Sequence, residues 1–306
     1  MPNLLLKQKP APLPRLNRSL GKKIGTPVTK GRDFIKDRFF TPYLLKKQKF
    51  QPKIRIFIER NKYLVKTAET DSEFRDVLKL RFNVFYKEYI KKSGVDGFDI
   101  DKFDFICDHL MVIDREKEKC IGTYRLISSV FSESFYSETE FDMERIRKLP
   151  GNILELGRSC TDKEARNGII LALLWKGLSE YIKESGSKYA FGCTSVKTTD
   201  LHKAAVMYLF LKNRYMPEEA FRIVPKNRYF IKNLDSHIRF LERKGYSVDE
   251  KRVKKMLSPL LLSYLNIGAK VCGQPAYDRH FKCIDFFTLL KMKDSSMSFK
   301  RRFELP

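Results

Sequence analysis

The chain has 306 residues, 42% of them hydrophobic and 13% aromatic, which is enough to bury a sizeable core as one elaborated domain or two. A formal net charge of +24 suits nucleic acid, an anionic membrane face, or an acidic protein or ligand as partner, and does not by itself choose among them. Cys107, Cys120, Cys160, Cys193, Cys272 and Cys283 form no CxxC pair and no zinc-type group with histidine, so reduced core cysteines, a cytoplasmic location and no metal are expected. The opening MPNLLLKQKP lacks the apolar run of a secretory signal, and no stretch reaches the roughly 18 apolar residues that span a bilayer. Any membrane contact is therefore expected to be peripheral.

Residues 1–60 hold 16 Lys and Arg against 3 acids, with seven prolines, and read as a basic, partly disordered arm. Its interspersed apolar residues, Phe34 to Leu45, would let a short segment lie on an anionic surface; a solvated tail is the alternative. A compact α/β domain is expected over 61–306. Tyr63 to Ala68 is its first strand, and Thr70 with Glu73 forms a capping box opening a helix to about Lys91. Arg81 falls inside the apolar face of that helix with Phe74, Val77, Leu78, Phe85 and Tyr89, so it is either a satisfied core arginine or a ligand for a carboxylate in a cavity. A loop crowded with Asp96, Asp99, Asp101, Asp104 and Asp108 suits a cationic ligand or simple solvation and does not match a calcium loop. A hairpin follows, His109–Asp114 and Lys119–Val130. Its His109 and Asp114 have the HxxxxD spacing of glycerol-phosphate acyltransferases, but positions five apart on a strand face opposite ways.

The stretch NILELGRSCTDKEARNG, 152–168, joins a strand carrying an acid and a base to the most apolar helix of the chain. In a regular strand Glu155 and Arg158 diverge; one extra residue at Gly157 would bring them to the same face, as a functional pair or a structural ion pair. The helix is expected from about Asp162 to Glu184, a strand follows in KYAFGCTSV, and Thr198 or Thr199 can cap the next helix. That order implies a right-handed crossover and a parallel strand pair beside Glu155. A basic segment from Arg222 to Lys232, a helix near Leu234 to Lys244, an apolar stretch PLLLSYLNIGAKVCG and a last strand in CIDFFTLLKM complete the chain.

RFNVFYKEY, the pair Asp101 and Asp104, the His109 strand, GTYRL and LELGRSC, in that order, resemble the acyltransferase branch of the GNAT superfamily, in particular acyl-homoserine-lactone synthases and ornithine N-acyltransferases that make lyso-ornithine lipid. The ending SPLLLSYLNIGAKVCGQPAYDRHFKCIDFFTLLKM is similar to the second group. The resemblance covers about Tyr63 to Met292. It implies a mixed, mostly antiparallel sheet flanked by helices, with a splayed parallel pair at the active site. It also implies transfer of a 3-hydroxyacyl group from acyl carrier protein to the α-amine of an amino acid, ornithine first, with another N-acyl amino acid or an acyl-homoserine lactone as the alternative product. The thioester is then a co-substrate and no cofactor is needed.

On that resemblance Glu155 is the catalytic base, a bulge at Gly157 supplies oxyanion donors, and Arg158, Ser159, Arg166 and Gly168 hold the donor, with the acceptor's carboxylate as the alternative for Arg158. The donor's phosphate would sit at the N-terminus of the helix after Ser159. Arg81 and Arg125 would take the acceptor's carboxylate, and Asp101 and Asp104 its side-chain cation. The sequence ARNGII departs from the RxxGxG/A pattern of coenzyme A users, which favours an acidic carrier protein. A peripheral place on the inner face of the cytoplasmic membrane is expected, and nucleic-acid binding is not, because the domain has no such motif.

Overall fold

A computed structural model of the chain describes residues 50–91 and 97–303; most of the basic arm, and Asp96, lie outside the described residues. Nine strands form one sheet: β1 (Phe57–Arg60), β2 (Tyr63–Thr67), β3 (Asp108–Asp114), β4 (Lys119–Ser128), β5 (Asn152–Thr161), β6 (Ser187–Val196), β7 (Lys270–Val271), β8 (Ala276–Asp278) and β9 (Cys283–Lys291). Their order is β1-β2-β3-β4-β5-β6-β9-β7, with β8 on β9. Every pairing is antiparallel except β5 with β6. The main helices are α1 (Asp71–Phe82), α2 (Gly168–Ser185), α3 (Leu201–Tyr215), α4 (Leu234–Arg243) and α5 (Pro259–Asn266). Helix α2 is the crossover that makes β5 and β6 parallel, as the order of elements requires.

Strand alternation divides the side chains between two faces. Val65, Leu110, Leu126, Leu154 and Ala190 point to the face covered by α2, where they join one apolar core with Ile170, Leu174 and Leu178. Each such side chain removed from water contributes about 1.5–3 kcal/mol. The helix comes close because Gly177 has no Cβ: one placed there would lie 2.7 Å from Val65 Cγ1. Ile127, Ile153, Phe191, Phe287 and Leu289 face the other way with Phe135 and Phe141. Arg125, Glu155, Cys193, Ser195 and Asp285 belong to this second face by register.

Several boundaries differ from expectation for local reasons. Thr70 and Glu73 form the capping box, but α1 stops at Phe82 and continues as a π-helix over Asn83–Tyr89, closed by Ile90 N–H donating to the Phe85 carbonyl at 3.1 Å. The wider turn takes Phe85 and Tyr89 out of the apolar stripe that a regular helix would keep. A 3₁₀ turn at Lys163–Ala165 delays α2, whose cap is Asn167, accepting from the amides of Ile169 and Ile170. Asp200, rather than Thr198 or Thr199, caps α3 by accepting from Lys203 N. Strand β1 comes from residues expected in the arm; nearby, Asp108 accepts from Lys53 N and Ile54 N, and Phe50 stacks on Phe74 at 4.8 Å. All six cysteines are free, and no helix among the described residues is long and apolar enough to cross a membrane.

Candidate active site

The site begins where β5 and β6 part. Their parallel ladder ends at Glu155 with Phe191, although both strands run on, to Thr161 and Val196. At the fork a Cβ on Gly192 would meet the Leu156 carbonyl oxygen at 2.2 Å, so the strands approach there only because the residue is glycine. Beyond the fork opens a cavity of about 220 Å³, lined by Ser258 and Tyr264 of the α5 side and by Tyr136, Glu140 and Phe281 of the other.

On its other edge β5 carries the expected bulge. Thr123 pairs with Cys160 and Arg125 with Gly157, so three steps of β5 oppose two of β4. The extra residue is Arg158, which adopts φ +50°. A non-glycine residue in that conformation costs roughly 1–2 kcal/mol. The bulge sends the Arg158 guanidinium to the face of Arg125, where ion pairs hold it.

Three arginines and three aspartates interlock there. Arg81 Nε donates to Asp99 at 2.8 Å and its Nη1 to Asp104 at 2.6 Å. Arg125 Nη1 lies 2.8 Å from both oxygens of Asp101, Arg158 Nη2 donates to Asp101 at 3.1 Å, and Arg158 Nε is 3.2 Å from Asp99. Burial opposes ionisation of Asp101, but Arg125, Arg158 and Arg81 together hold its carboxyl well below the usual range. The Tyr136 ring lies against both of these guanidiniums, 5.0 Å from Arg125 and 4.9 Å from Arg158.

Glu155 is buried on the same face. It accepts from Tyr136 N at 2.6 Å, from Ser137 N at 2.7 Å and from the Ser137 hydroxyl, all at the start of a 3₁₀ turn over Tyr136–Thr139. Burial pushes its carboxyl up; the Ser137 hydroxyl and the Arg125 charge pull it back, leaving it above the ordinary range. Such a carboxylate is better matched to accepting a proton near neutral pH than an exposed one.

The sequence-derived residues divide into two groups. Glu155, Arg158, Ser159 and Arg125 line the cavity. Arg81 and Asp104 are fully buried against each other and lie behind its wall, so Arg81 is the satisfied core arginine of the two alternatives. Asp101 caps the 3₁₀ turn Lys102–Phe105, accepting from Phe103 N, while it braces Arg125. Arg166 pairs with Glu88 at 2.7 Å on the surface, and Gly168 starts α2, so neither lines the cavity. His109 and Asp114 diverge: His109 Nε2 meets Cys107 Sγ at 3.2 Å, and Asp114 lies 3.6 Å from Lys62.

Three acids in the cavity wall were not foreseen. Glu140, Asp278 and Asp285 are all buried. Burial, then the charges of Asp285 and Asp278, push the Glu140 carboxyl far up, and Asp285 is pushed up to about 6. Asp285 was legible as an acid at an alternate position of an apolar strand; Glu140 closes a 3₁₀ turn and Asp278 ends the three-residue β8, neither with such a signal. Potential metal-ligand atoms converge in Asp278, Cys283 and Asp285, and again in Asp104, Cys107 and His109, where Asp104 is already engaged by Arg81.

The acetyltransferase (GNAT) domain family matches residues 80–176, which run from the end of α1 through the β3–β4 hairpin and β5 into α2. With the forked parallel pair and the buried carboxylate beside it, this defines a GNAT-type N-acyltransferase. The chain is 30% identical to the L-ornithine N(alpha)-acyltransferase of Rhizobium meliloti (strain 1021) over 239 residues, 73% of this chain and 78% of that protein. It is 29% identical to the enzyme of the same name from Brucella abortus (strain 2308), over 75% of this chain and 84% of that one. The chain belongs to the L-ornithine N(alpha)-acyltransferase family. Among solved structures it is similar to FeeM, an N-acyl amino acid synthase from uncultured soil microbes, with a TM-score of 0.43 and 10% identity over 77% of this chain and 97% of that one.

Proposed function

We propose that the chain transfers a 3-hydroxyacyl group from an acyl carrier protein thioester to the α-amine of ornithine, giving lyso-ornithine lipid. The observation that carries this reading is the buried Glu155 at the fork of β5 and β6, with Arg125 and Arg158 on the same face. The α-ammonium, with an ordinary pKa near ~8, gives a proton to Glu155, directly or through a water. The free amine attacks the thioester carbon; the C–N bond forms, the C–S bond breaks, and the departing thiolate takes up the amine's second proton. The parted edge of β5 and the bulge at Arg158 offer backbone amides to the oxyanion. Arg125 and Arg158 face the acceptor's carboxylate, and Ser159 the donor arm. The three aspartates set these arginines in place and do not touch substrate themselves.

The missing RxxGxG/A pattern and the net charge of +24 support an acidic carrier protein as donor and an anionic membrane surface as the place of work. The test is incubation of the purified chain with 3-hydroxyacyl carrier protein and ornithine, followed by mass spectrometry. Acylated ornithine that disappears in Glu155→Gln is expected. Product from S-adenosylmethionine and none from ornithine would overturn the acceptor; product from acyl-coenzyme A alone would overturn the donor.

A further inference from the structure

The cavity has two charged ends that differ in kind. At one end, Asp99, Asp101 and Asp104 face three arginines, so the acids are matched. At the other, the charges acting most strongly on Glu140 are those of Asp285 and Asp278, both of its own sign. Glu140 is 1% exposed, and its Oε2 has no hydrogen-bond partner among the described residues. Carboxylates buried together without a counter-ion are costly; the cost is relieved by holding a proton, the direction in which Glu140 is pushed, or by a cation brought in from outside, which lets the acids ionise.

Register ties this end to the acyl-transfer end. Glu155 pairs with Phe191, and Cys193 and Ser195 follow on the same face of β6; Ser195 pairs with Asp285 on β9. Asp278 pairs with Cys283, two residues before Asp285, and so joins the same row. Cys193 bridges the two ends: its Sγ lies 3.3 Å from the Ser137 hydroxyl that binds Glu155, and its thiol is pushed up by burial and then by the charges of Glu140 and Asp285. An amine held at Glu155 therefore directs a short side chain toward the three acids.

We infer that Glu140, Asp285 and Asp278 form a subsite for the distal ammonium of a dibasic acceptor, and that this subsite, rather than Asp101 and Asp104, selects for a second positive charge. The inference rests on the N-acyltransferase reading above and adds which residues read the side chain. A divalent metal ion is the competing occupant. It is disfavoured because burial pushes the Cys283 thiol up, away from thiolate, and because Asp278 Oδ1 already accepts from His280 N at 2.7 Å and Phe281 N at 3.0 Å.

The experiment compares L-ornithine with L-norvaline, which has the same carbon chain without the distal amine, in the full chain and in Glu140→Gln and Asp285→Asn. A charge-assisted contact of this kind separates the two acceptors by roughly 10- to 100-fold. The intact chain is expected to prefer ornithine by that factor in kcat/KM, and each variant to lose most of the preference through a raised ornithine KM. Circular dichroism checks that the variants fold; each removes one of several like charges, so folding is expected to survive. An unchanged preference in both folded variants would overturn the subsite, as would a preference that vanishes when the intact chain is treated with a chelator. If the intact chain acylates neither amine, the acyl-transfer reading fails separately. Calorimetric binding of the same two amines then decides the subsite: tighter ornithine binding in the intact chain alone supports it, and equal binding overturns it.

Discussion

Arg125 and Arg158 share a single carboxylate, that of Asp101, at 2.8 Å and 3.1 Å. One guanidinium comes from a regular strand and the other from a bulge, so the bulge and the acidic loop are needed together to set both on one face. Because Asp101 fixes both guanidiniums from within the chain, the ordering cost of binding a carboxylate beside them is lowered.

Arg81 is tied to Asp99 and Asp104 behind the cavity wall, and its removal takes the nearest counter-charge from two buried acids, leaving Asp99 with Arg158 and Asp104 with Arg125 among the described residues. Arg81→Ala is expected to cost about 3–5 kcal/mol of stability in urea unfolding. Its effect on the acceptor KM of the remaining folded protein should be smaller than that of Arg125→Ala. A raised KM at unchanged stability would instead place Arg81 on the acceptor.

Tyr136 N and Ser137 N donate to different oxygens of Glu155, so Glu155→Gln keeps an acceptor for one of them only, and it cannot take a proton. Turnover should fall by about 10²–10⁴, the usual contribution of a general base. The amide left facing the new NH2 costs about 1–3 kcal/mol, so the melting temperature should fall by several degrees, and turnover is compared at a temperature where both proteins are folded. Activity near the original level would show that another group accepts the proton.

Gly192→Ala places a methyl group against the Leu156 carbonyl at the fork. Overpacking of this kind costs about 1–3 kcal/mol. Because the strain falls where β5 and β6 separate, kcat should drop along with stability. Full activity in a destabilised variant would mean that the fork tolerates widening.

Asp285 has its carboxyl raised to about 6 in the folded chain, above an ordinary value near ~4. The native state then holds the proton more tightly than the unfolded chain does. The contribution of this group to stability is fully present below about pH 4 and is lost as pH rises through about 6. Asp285→Asn cannot ionise, so its melting temperature should gain on that of the intact chain as pH rises from 4 to 7. A difference independent of pH would refute the shifted titration.

Much of the sheet was legible because strands such as β3 and β4 are apolar runs joined by a polar turn, and its first helix carries a complete capping box. The bulge could be anticipated from Gly157, although Arg158 is the residue that takes the left-handed conformation. Helix wheels failed at Phe85 and Tyr89, since nothing in NVFYKEY distinguishes a π-helix from an α-helix. Arg81 and Asp104 were legible as charges needing partners, but only three-dimensional pairing reveals that they satisfy each other and leave Arg125 and Arg158 at the cavity. The acid trio was hidden because Glu140, at the end of a 3₁₀ turn, lies 138 positions before Asp278 and 145 before Asp285 on two C-terminal strands, and no local pattern joins it to them.

The fork at Gly192 separates two tasks along one strand pair. Before it, β5 and β6 are ordinary sheet; after it, each strand is free to carry chemistry on an edge that owes nothing to its former neighbour. The proposed base, Glu155, belongs to β5, whereas Asp285 arrives on β9, laid against β6, and Asp278 on β8, laid against β9. A designer could therefore rewrite the two C-terminal strands to admit a different amine while leaving the acyl-transfer strand as it stands.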